Sequence, residues 1–501
     1  MNKSLLLGFA FTTFLTTAPQ GFAKNTNEDW PIIKRNLDVL YEGQKEFRFL
    51  GLAAPNIQAH ESQLHPDFSN RFPDEYELRD ILSSINRLGA RATRSFSFGV
   101  YSPKDNGVPF HISGRRQYNE DAFRSFDLLL ALCKEYDVRI LVPFIASQSF
   151  PVVRGVDEFA ALSGNTTPGA FWTDEKVKED FKHFLNYVLN RRNTITGIVY
   201  KNDPAILGWQ FGNEFDSYAP DRKINSEEWK PIITAWQLEM AKYIKSIDSN
   251  HLLMEAGGDR HVMLNSPDVD MMSAHLYEYW NRTFGGPTEL APLAKKERDA
   301  SRGKKVLLID EFGLATIENQ TALIKAIREE GISGGLLWSI RSHRRDGGFY
   351  YHNEGGTPIN SFHIPGFAAG YHFQEQQILD LVKREGYAMR GLKVPPIKKP
   401  DQAPVLFSRK KGALVWRGST GASDYTVERS EKKNGGWKVV ATGIQDSVIF
   451  DVKKYEEDKT HEPTPLWFDE TGEREKTYYY RVKGRNAGGE TGYSNVIEMS
   501  L

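Results

Sequence analysis

From residue 47 to residue 340 the chain repeats one pattern eight times, a short run rich in Val, Ile, Leu and Phe followed by a longer stretch. The runs are "FRFLGLAAP" (47–55), "RATRSFSF" (91–98), "VRILVPFIA" (138–146), "AILGWQFGN" (205–213), "HLLMEAGG" (251–258), "VDMMSAHLY" (269–277), "KVLLIDEFG" (305–313) and "GGLLWSI" (334–340). The stretches between them include "EYELRDILSSINRLG", "EDAFRSFDLLLALCKEY", "DEKVKEDFKHFLNYVLNRR" and "EEWKPIITAWQLEMAKYIKSI", whose apolar residues recur at helical spacing. A last such stretch, "YHFQEQQILDLVKREG", follows the eighth run. Eight strand–helix units over about 350 residues predict a (β/α)8 barrel, an α/β fold. A doubly wound open sheet is the alternative. It would usually bring a Gly-rich phosphate loop after its first strand, and "GLAAPNIQAHES" is not one.

The two ends of the chain differ from this middle. "MNKSLLLGFAFTTFLTTAPQGFAK" has Lys3, an apolar run from Leu5 to about Leu15 and small residues up to Ala23. It reads as a secretory signal over residues 1–23, so the protein is expected to be secreted or periplasmic. The other reading, a membrane anchor, fails on length, and no membrane span is expected. Residues 24–391 are assigned to the barrel. The segment 392–404, around "KVPPIKKPDQAP", is rich in Pro and Lys and reads as a stiff linker. Residues 405–501 hold short alternating runs, "GALVWRGS", "DYTVERSE", "WKVVATG", "SVIFDV" and "KTYYYRVKGRNAGGETGYSNVIEM", which predict a β-sandwich. Within it, "YYYRVKGRNAGGETGYSN" resembles the last hairpin of a fibronectin type III domain, with Tyr478 or Tyr480 at the sheet core.

In a barrel of this kind, chemistry sits at the C-terminal ends of the strands. "GWQFGNE" ends the fourth run with Glu214 and "VLLIDEFG" ends the seventh with Glu311. A single Glu at a strand end is more often simply solvated. Two of them, from opposite sides of a small barrel, can face one another across a pocket. Glycoside hydrolysis needs that pairing: one carboxyl holds a proton for the leaving oxygen while the other, ionised, attacks the anomeric carbon. Environment decides which is which, because burial and a neighbouring negative charge raise a carboxyl pKa while hydrogen-bond donors lower it.

The residues around the pair resemble glycoside hydrolase family 5. "NDPAILGWQFGNEF" is similar to that family's strand-four signature, in which the acid/base Glu follows an Asn, and "KKVLLIDEFG" is similar to its strand-seven nucleophile signature. "LGARATRSFSF" matches strand two with Arg94, "SAHLYEYW" matches strand six with His275 and Tyr277, and "GGLLWSI" supplies Trp338. Within the family, the run Arg191-x-Asn193-x-x-x-Gly197-x-x-Tyr200-Lys201 is most similar to the β-mannanase branch. The resemblance implies catalysis by Glu214 and Glu311 and substrate binding by Arg94, Asn213, His275, Tyr277, Trp280 and Trp338. It implies a retaining endo-β-1,4-mannosidase acting on a polysaccharide or oligosaccharide. The alternatives are a β-glucanase or exo-β-mannosidase on the same barrel, or a non-catalytic polysaccharide-binding protein.

Chemistry beside each residue agrees with these roles. Arg94 can hold Glu311 ionised. Asn213, both donor and acceptor, can take the sugar 2-hydroxyl. Tyr277 can donate to the nucleophile, His275 can orient the acid or the substrate, and Trp338 can form a stacking floor. A lone His is more often a satisfied core residue, and a Trp under a barrel mouth is often core. The loop "RSHRRDGGFYYHNEGG" after the eighth run is basic and aromatic, and would bring Arg341, His343, Arg344 and Arg345 toward the cleft.

Other classes are excluded by what the chain lacks. A formal charge of −1 and a pI near 6.9 leave no basic footprint for nucleic acid. Aromatic residues at 12% exceed plain core needs and suit a surface that stacks on sugar rings. There is no phosphate loop and no HExxH helix, and the 12 histidines lack metal-ligand spacing. No cofactor and no metal are expected, and the chain is expected to be a monomer. The lone Cys133, in "DLLLALCKEYDV", sits at a core position and forms no intramolecular disulfide.

Overall fold

The computed structural model describes residues 30–59, 72–104, 110–149, 154–218, 226–350, 361–367, 375–410, 412–447 and 466–501. The expected signal segment and most of the strand expected at "SVIFDV" lie outside the described residues. All eight apolar runs of the middle region contain strands. They are β1 (Phe49–Leu52), β2 (Ala92–Arg94), β3 (Arg139–Ala146), β4 (Ile206–Asn213), β5 (Leu252–Met254), β6 (Met271–Tyr277), β7 (Val306–Gly313) and β8 (Gly334–Leu337). They pair in the order β1–β8–β7–β6–β5–β4–β3–β2, every pair parallel. The ring is drawn together between β2 and β1 by Arg94 O accepting from Ala54 N at 2.9 Å and by Thr93 Oγ1 donating to Leu52 O at 2.8 Å. This is a (β/α)8 barrel.

Helices follow the strands in turn: α1 (Glu75–Arg87), α2 (Glu120–Glu135), α3 (Glu175–Asn190), α4 (Ser226–Ile247), α5 (Arg260–Asn265), α6 (Leu290–Ser301), α7 (Ile317–Glu329) and α8 (Glu375–Ala388). Their starts are set locally. Asp74 and Glu77 form a reciprocal capping box at α1, and Asn119, Asp174 and Thr316 cap α2, α3 and α7. Strand side chains alternate between two cores. Leu141, Leu207, Met254, Met271, Leu308 and Leu336 fill the barrel, while Ile140, Ile206, Leu253, Met272, Leu307 and Leu337 meet the helices. A three-stranded antiparallel sheet built from residues 34–46 lies at the end where the strands begin. There Ile33, Leu40 and Phe47 join the inner core, and Arg139 at the start of β3 pairs with Glu42 at 2.6 Å. The opposite end stays open.

Residues 392–400 carry no regular secondary structure yet are tied down. Arg87 donates to the carbonyls of Lys398 and Lys399, and Asn486 Nδ2 donates to the former. Beyond them lie β9 (Val405–Lys410), β10 (Ala413–Arg417), β11 (Asp424–Ser430), β12 (Lys438–Ile444), β13 (Trp467–Phe468), β14 (Thr477–Asn486), β15 (Gly489–Glu490) and β16 (Ile497–Ser500). They form two antiparallel sheets, β9–β10–β13 and β12–β11–β14, with β15 and β16 both pairing β14. Leu406, Leu414 and Trp416 from the first sheet share a core with Tyr425, Val427, Tyr478, Tyr480 and Val482 from the second.

A buried charge cluster joins this module to the barrel. His343, in the chain after β8, lies between Asp80 of α1 at 2.8 Å and Asp446 of the C-terminal module at 3.0 Å, and Thr420 also donates to Asp80 at 2.6 Å. Burial works against the charged ring, but the two carboxylates outweigh it and push His343 up to about 10. His343→Ala would strand two buried carboxylates and is expected to cost about 3–5 kcal/mol in chemical denaturation. With the folded pKa above the ordinary value of 6.5, the contribution of His343 is whole below about pH 6.5 and fades toward pH 10. The difference between wild type and variant should shrink over that interval.

Candidate active site

The open end of the barrel collects polar side chains from four strands. Arg94, the last residue of β2, is fully buried. Its guanidinium donates to Gln210 Oε1 at 2.8 Å, Glu311 Oε1 at 2.5 Å and Asn213 Oδ1 at 2.8 Å. Tyr277, at the end of β6, donates its hydroxyl to Glu311 Oε2 at 2.6 Å. Each oxygen of Glu311 therefore accepts a strong hydrogen bond. Burial pushes its carboxyl up to about 7, with the charge of Glu214 adding to this, while His275, Arg94 and Tyr277 pull the other way.

Glu214 follows directly on β4 and stands in the left-handed region at φ 49°, ψ 54°. Such backbone costs a β-unbranched side chain about 1–3 kcal/mol and persists where its surroundings hold it. Here they do. Ser147 Oγ and Ser217 Oγ donate to Glu214 O at 2.6 and 2.7 Å. The twist turns the carboxylate over the barrel mouth. Two residues earlier, a Cβ on Gly212 would sit 2.2 Å from Ile145 O, so the strand admits only glycine at that point.

The carboxylate of Glu214 accepts from Gln148 Nε2 at 2.6 Å and shares a hydrogen bond with His275 Nδ1 at 2.8 Å. On its other side, His275 Nε2 lies 3.2 Å from Asp310 Oδ2. Burial opposes the ionisation of Asp310, but His275, Arg94 and the Ser273 hydroxyl outweigh it and hold the carboxyl at about 2. An ionised Asp310 can only accept, so Nε2 carries a hydrogen. The proton between Nδ1 and Glu214 then belongs to the pair. Burial disfavours a charged His275, yet Glu311, Asp310 and Glu214 raise its pKa well above 6.5. Glu214, against its own burial, is lowered by His275. The pair thus keeps one proton through neutral pH.

Oxygens of Glu214 and Glu311 and a ring nitrogen of His275 lie within 4.8 Å of one another. That donor set is one a cation can use. Arg94 beside Glu311 and Asp310 on His275 already occupy those groups, and the guanidinium repels a second cation. Trp338, 5% exposed, meets Phe96 edge-on at 6.2 Å between ring centroids. Trp280 is half-buried in the short helix Glu278–Thr283, beside Tyr279 and stacked on Phe284 at 6.2 Å. The basic loop after β8 contributes less charge to the mouth than its sequence implies. His343 and Arg344 turn to Asp80, Asp446 and Asp346, while the Arg341 guanidinium lies 6.0 Å from the Trp338 ring.

A family model described as GH family 5 beta-mannosidase-like matches residues 141–277. Mannan endo-1,4-beta-mannosidase 1 of Arabidopsis thaliana is 24% identical over 314 residues, covering 52% of this chain and 72% of that protein. Mannan endo-1,4-beta-mannosidase 4 of Solanum lycopersicum is 31% identical over 264 residues, covering 47% of this chain and 62% of the relative. The chain is a glycoside hydrolase. These matches support the mannanase branch of family 5 as its place. The crystal structure of the endo-1,4-beta-mannanase from Rhizomucor miehei has a TM-score of 0.57 at 20% identity, over 72% of this chain and 99% of the other. The endo-beta-1,4-mannanase from Thermotoga petrophila has a TM-score of 0.52 at 16% identity, over 91% and 98%. At such identities they speak to the fold.

Every residue singled out in the sequence, Glu214, Glu311, Arg94, Asn213, His275, Tyr277, Trp280 and Trp338, lies at the strand ends or just after them. The first six form one hydrogen-bonded network. Sequence reasoning missed Gln148, Gln210 and Asp310. Asp310 was hidden because consecutive strand residues ought to point opposite ways. Strand β7 carries one extra residue against both neighbours, between Leu308 and Glu311 on the β6 side and between Ile309 and Phe312 on the β8 side. The bulge lets Asp310 and Glu311 serve the same site. Asp310→Asn in this glycoside hydrolase removes a charge that raises His275. The alkaline limb of kcat/KM should therefore move to lower pH, with a loss inside the ~10²–10⁴-fold range of general acid–base catalysis. A pH–rate profile of both proteins checks this.

Proposed function

We propose that the protein is an exported, retaining endo-β-1,4-mannanase of glycoside hydrolase family 5. Glu311 attacks the anomeric carbon while Glu214 passes the proton it shares with His275 to the glycosidic oxygen. Water, deprotonated by Glu214, then opens the glycosyl-enzyme and releases sugar of unchanged anomeric configuration. The observation that carries this reading is the approach of a carboxylate oxygen of Glu214 to within 4.8 Å of one of Glu311, each group in its own hydrogen-bonded setting. Retaining enzymes hold their carboxyl groups about 5–5.5 Å apart, whereas inverting ones leave about 6.5–9.5 Å for a water.

In this reading Asn213 meets the sugar 2-hydroxyl, Arg94 acts from beneath by orienting Asn213 and Glu311, Trp338 lies beneath the reacting ring and Trp280 meets a neighbouring unit. Mannan as substrate rests on the relatives, whose names specify mannan endo-1,4-β-mannosidase. Export rests on the N-terminal residues 1–23. The two C-terminal sheets with their shared core support a fibronectin type III-like sandwich, which fits a module that binds or spaces.

Product release from β-1,4-manno- and β-1,4-gluco-oligosaccharides tests the reading. Wild type should cut manno-oligosaccharides internally, and cutting of glucose chains alone would overturn the substrate assignment. Glu311→Ala should lose activity on every substrate. Glu214→Ala should lose about 10²–10⁴-fold on mannan but much less on an aryl mannoside whose leaving group needs no proton. Because Glu311 must be ionised to attack, kcat/KM should fall as pH drops through about 7. Product anomers followed by NMR should show retention; inversion would sink the mechanism.

A further inference from the structure

A second cavity lies on the outer wall of the barrel, between α1 and α8, under the 392–398 segment and the edge of the C-terminal module. Its volume is about 640 Å³, and none of the strand-end residues described above lines it. That size falls in the ~300–1,000 Å³ range of ligand pockets. Among the described residues, five cations line it, Arg87, Arg91, Lys383, Arg390 and Lys398, against the carboxylates of Asp137 and Asp380.

The charges are unevenly matched. Arg91 is neutralised by Glu42 and Asp137 at 2.7 and 2.6 Å. Arg87 pairs with Asp401 at 2.5 Å, but its Nε is buried and makes no hydrogen bond, and the side chain is only 9% exposed. Lys383, Arg390 and Lys398 form no ion pair among the described residues. Half-burial lowers the pKa of Lys383, with Asp380 opposing and Arg87 and Lys398 reinforcing. Such a group gains from an incoming anion. Arg390 lies 4.8 Å over the ring of Tyr387, presenting a flat cationic surface.

The rest of the lining offers more than a simple anion cradle would need. Leu88, Leu379, Pro395 and Pro396 offer apolar faces, and the amides of Gln376 and Gln445 offer donors and acceptors. Apolar faces pack against sugar rings, amides pair with hydroxyls, and cations without an ion pair among the described residues favour carboxylates. We propose that this groove binds a carboxylate-bearing sugar chain, an oligouronate, at a site separate from the barrel mouth. Such a site would hold the enzyme on an acidic polysaccharide while the open end of the barrel works on a neutral one. The proposal does not depend on mannan being the substrate.

Calorimetric titration of the full chain with tetragalacturonate at low ionic strength tests it. Binding is expected, weakening with added salt and falling about tenfold or more in Lys383→Glu and in Arg390→Gln. Turnover of neutral substrate by both variants should stay at the wild-type level, which also shows that they fold. The idea fails if tetragalacturonate does not bind, or if it binds both variants as tightly as wild type. It fails too if inorganic phosphate binds as tightly with the same dependence on Lys383, which would mark a general anion site.

Discussion

The buried guanidinium of Arg94 is the constraint around which the barrel mouth is arranged. A charge with no exposure to water is costly unless it is paired and hydrogen-bonded. Arg94 meets that demand with acceptors on β4 and β7, from Gln210, Asn213 and Glu311, and Asp310 lies 3.4 Å from its Nε. Strands from opposite sides of the barrel are thereby held at one height. The same bonds that satisfy the cation orient Glu311 and Asn213, so stability and positioning arise from one set of contacts. This explains why the network is dense beneath the mouth and thins toward Trp280.

The second element is the handling of protons. Three carboxylates, those of Glu214, Asp310 and Glu311, stand near two basic groups, Arg94 and His275. Arg94 is permanently charged. His275 is the variable member: tied by Nε2 to a carboxylate that stays ionised, it shares its other position with Glu214. The proton needed for a leaving group is thus stored between two side chains. Ionising Glu311 strengthens that storage, because its negative charge raises the affinity of His275 for the proton. Nucleophile and acid are coupled through the imidazole.

Away from the mouth, other charged clusters do structural work. The run that most specifically resembles the mannanase branch does not reach the site at all. Arg191 and Tyr200 donate to the buried carboxylate of Asp127, Asn193 donates to its carbonyl, and Gly197 supplies a left-handed turn at φ 72°. This knot fastens the chain between α3 and β4 onto α2, and so sets the height at which β4 begins. Asp80, His343 and Asp446 do the same for the C-terminal module and the loop after β8. A family signature can therefore be specific while its residues act only through the strand they precede.

The sequence by itself determined the eight strands, the helices that follow them and the two carboxylates at the ends of β4 and β7. These depend on local periodicity and on capping residues such as Asp74 and Asn119, which act over a few positions and can be read in order. Tertiary structure decided what no local pattern encodes. The bulge that brings Asp310 beside Glu311 exists only against β6 and β8. Gln148 and Gln210 are ordinary amides until Glu214 and Arg94 arrive from other strands. The basic loop after β8 looked like charge for the cleft, but His343 is claimed by carboxylates more than a hundred residues away in either direction along the chain. Periodicity is a property of neighbours in sequence, whereas charge compensation in a low-dielectric interior is a property of neighbours in space.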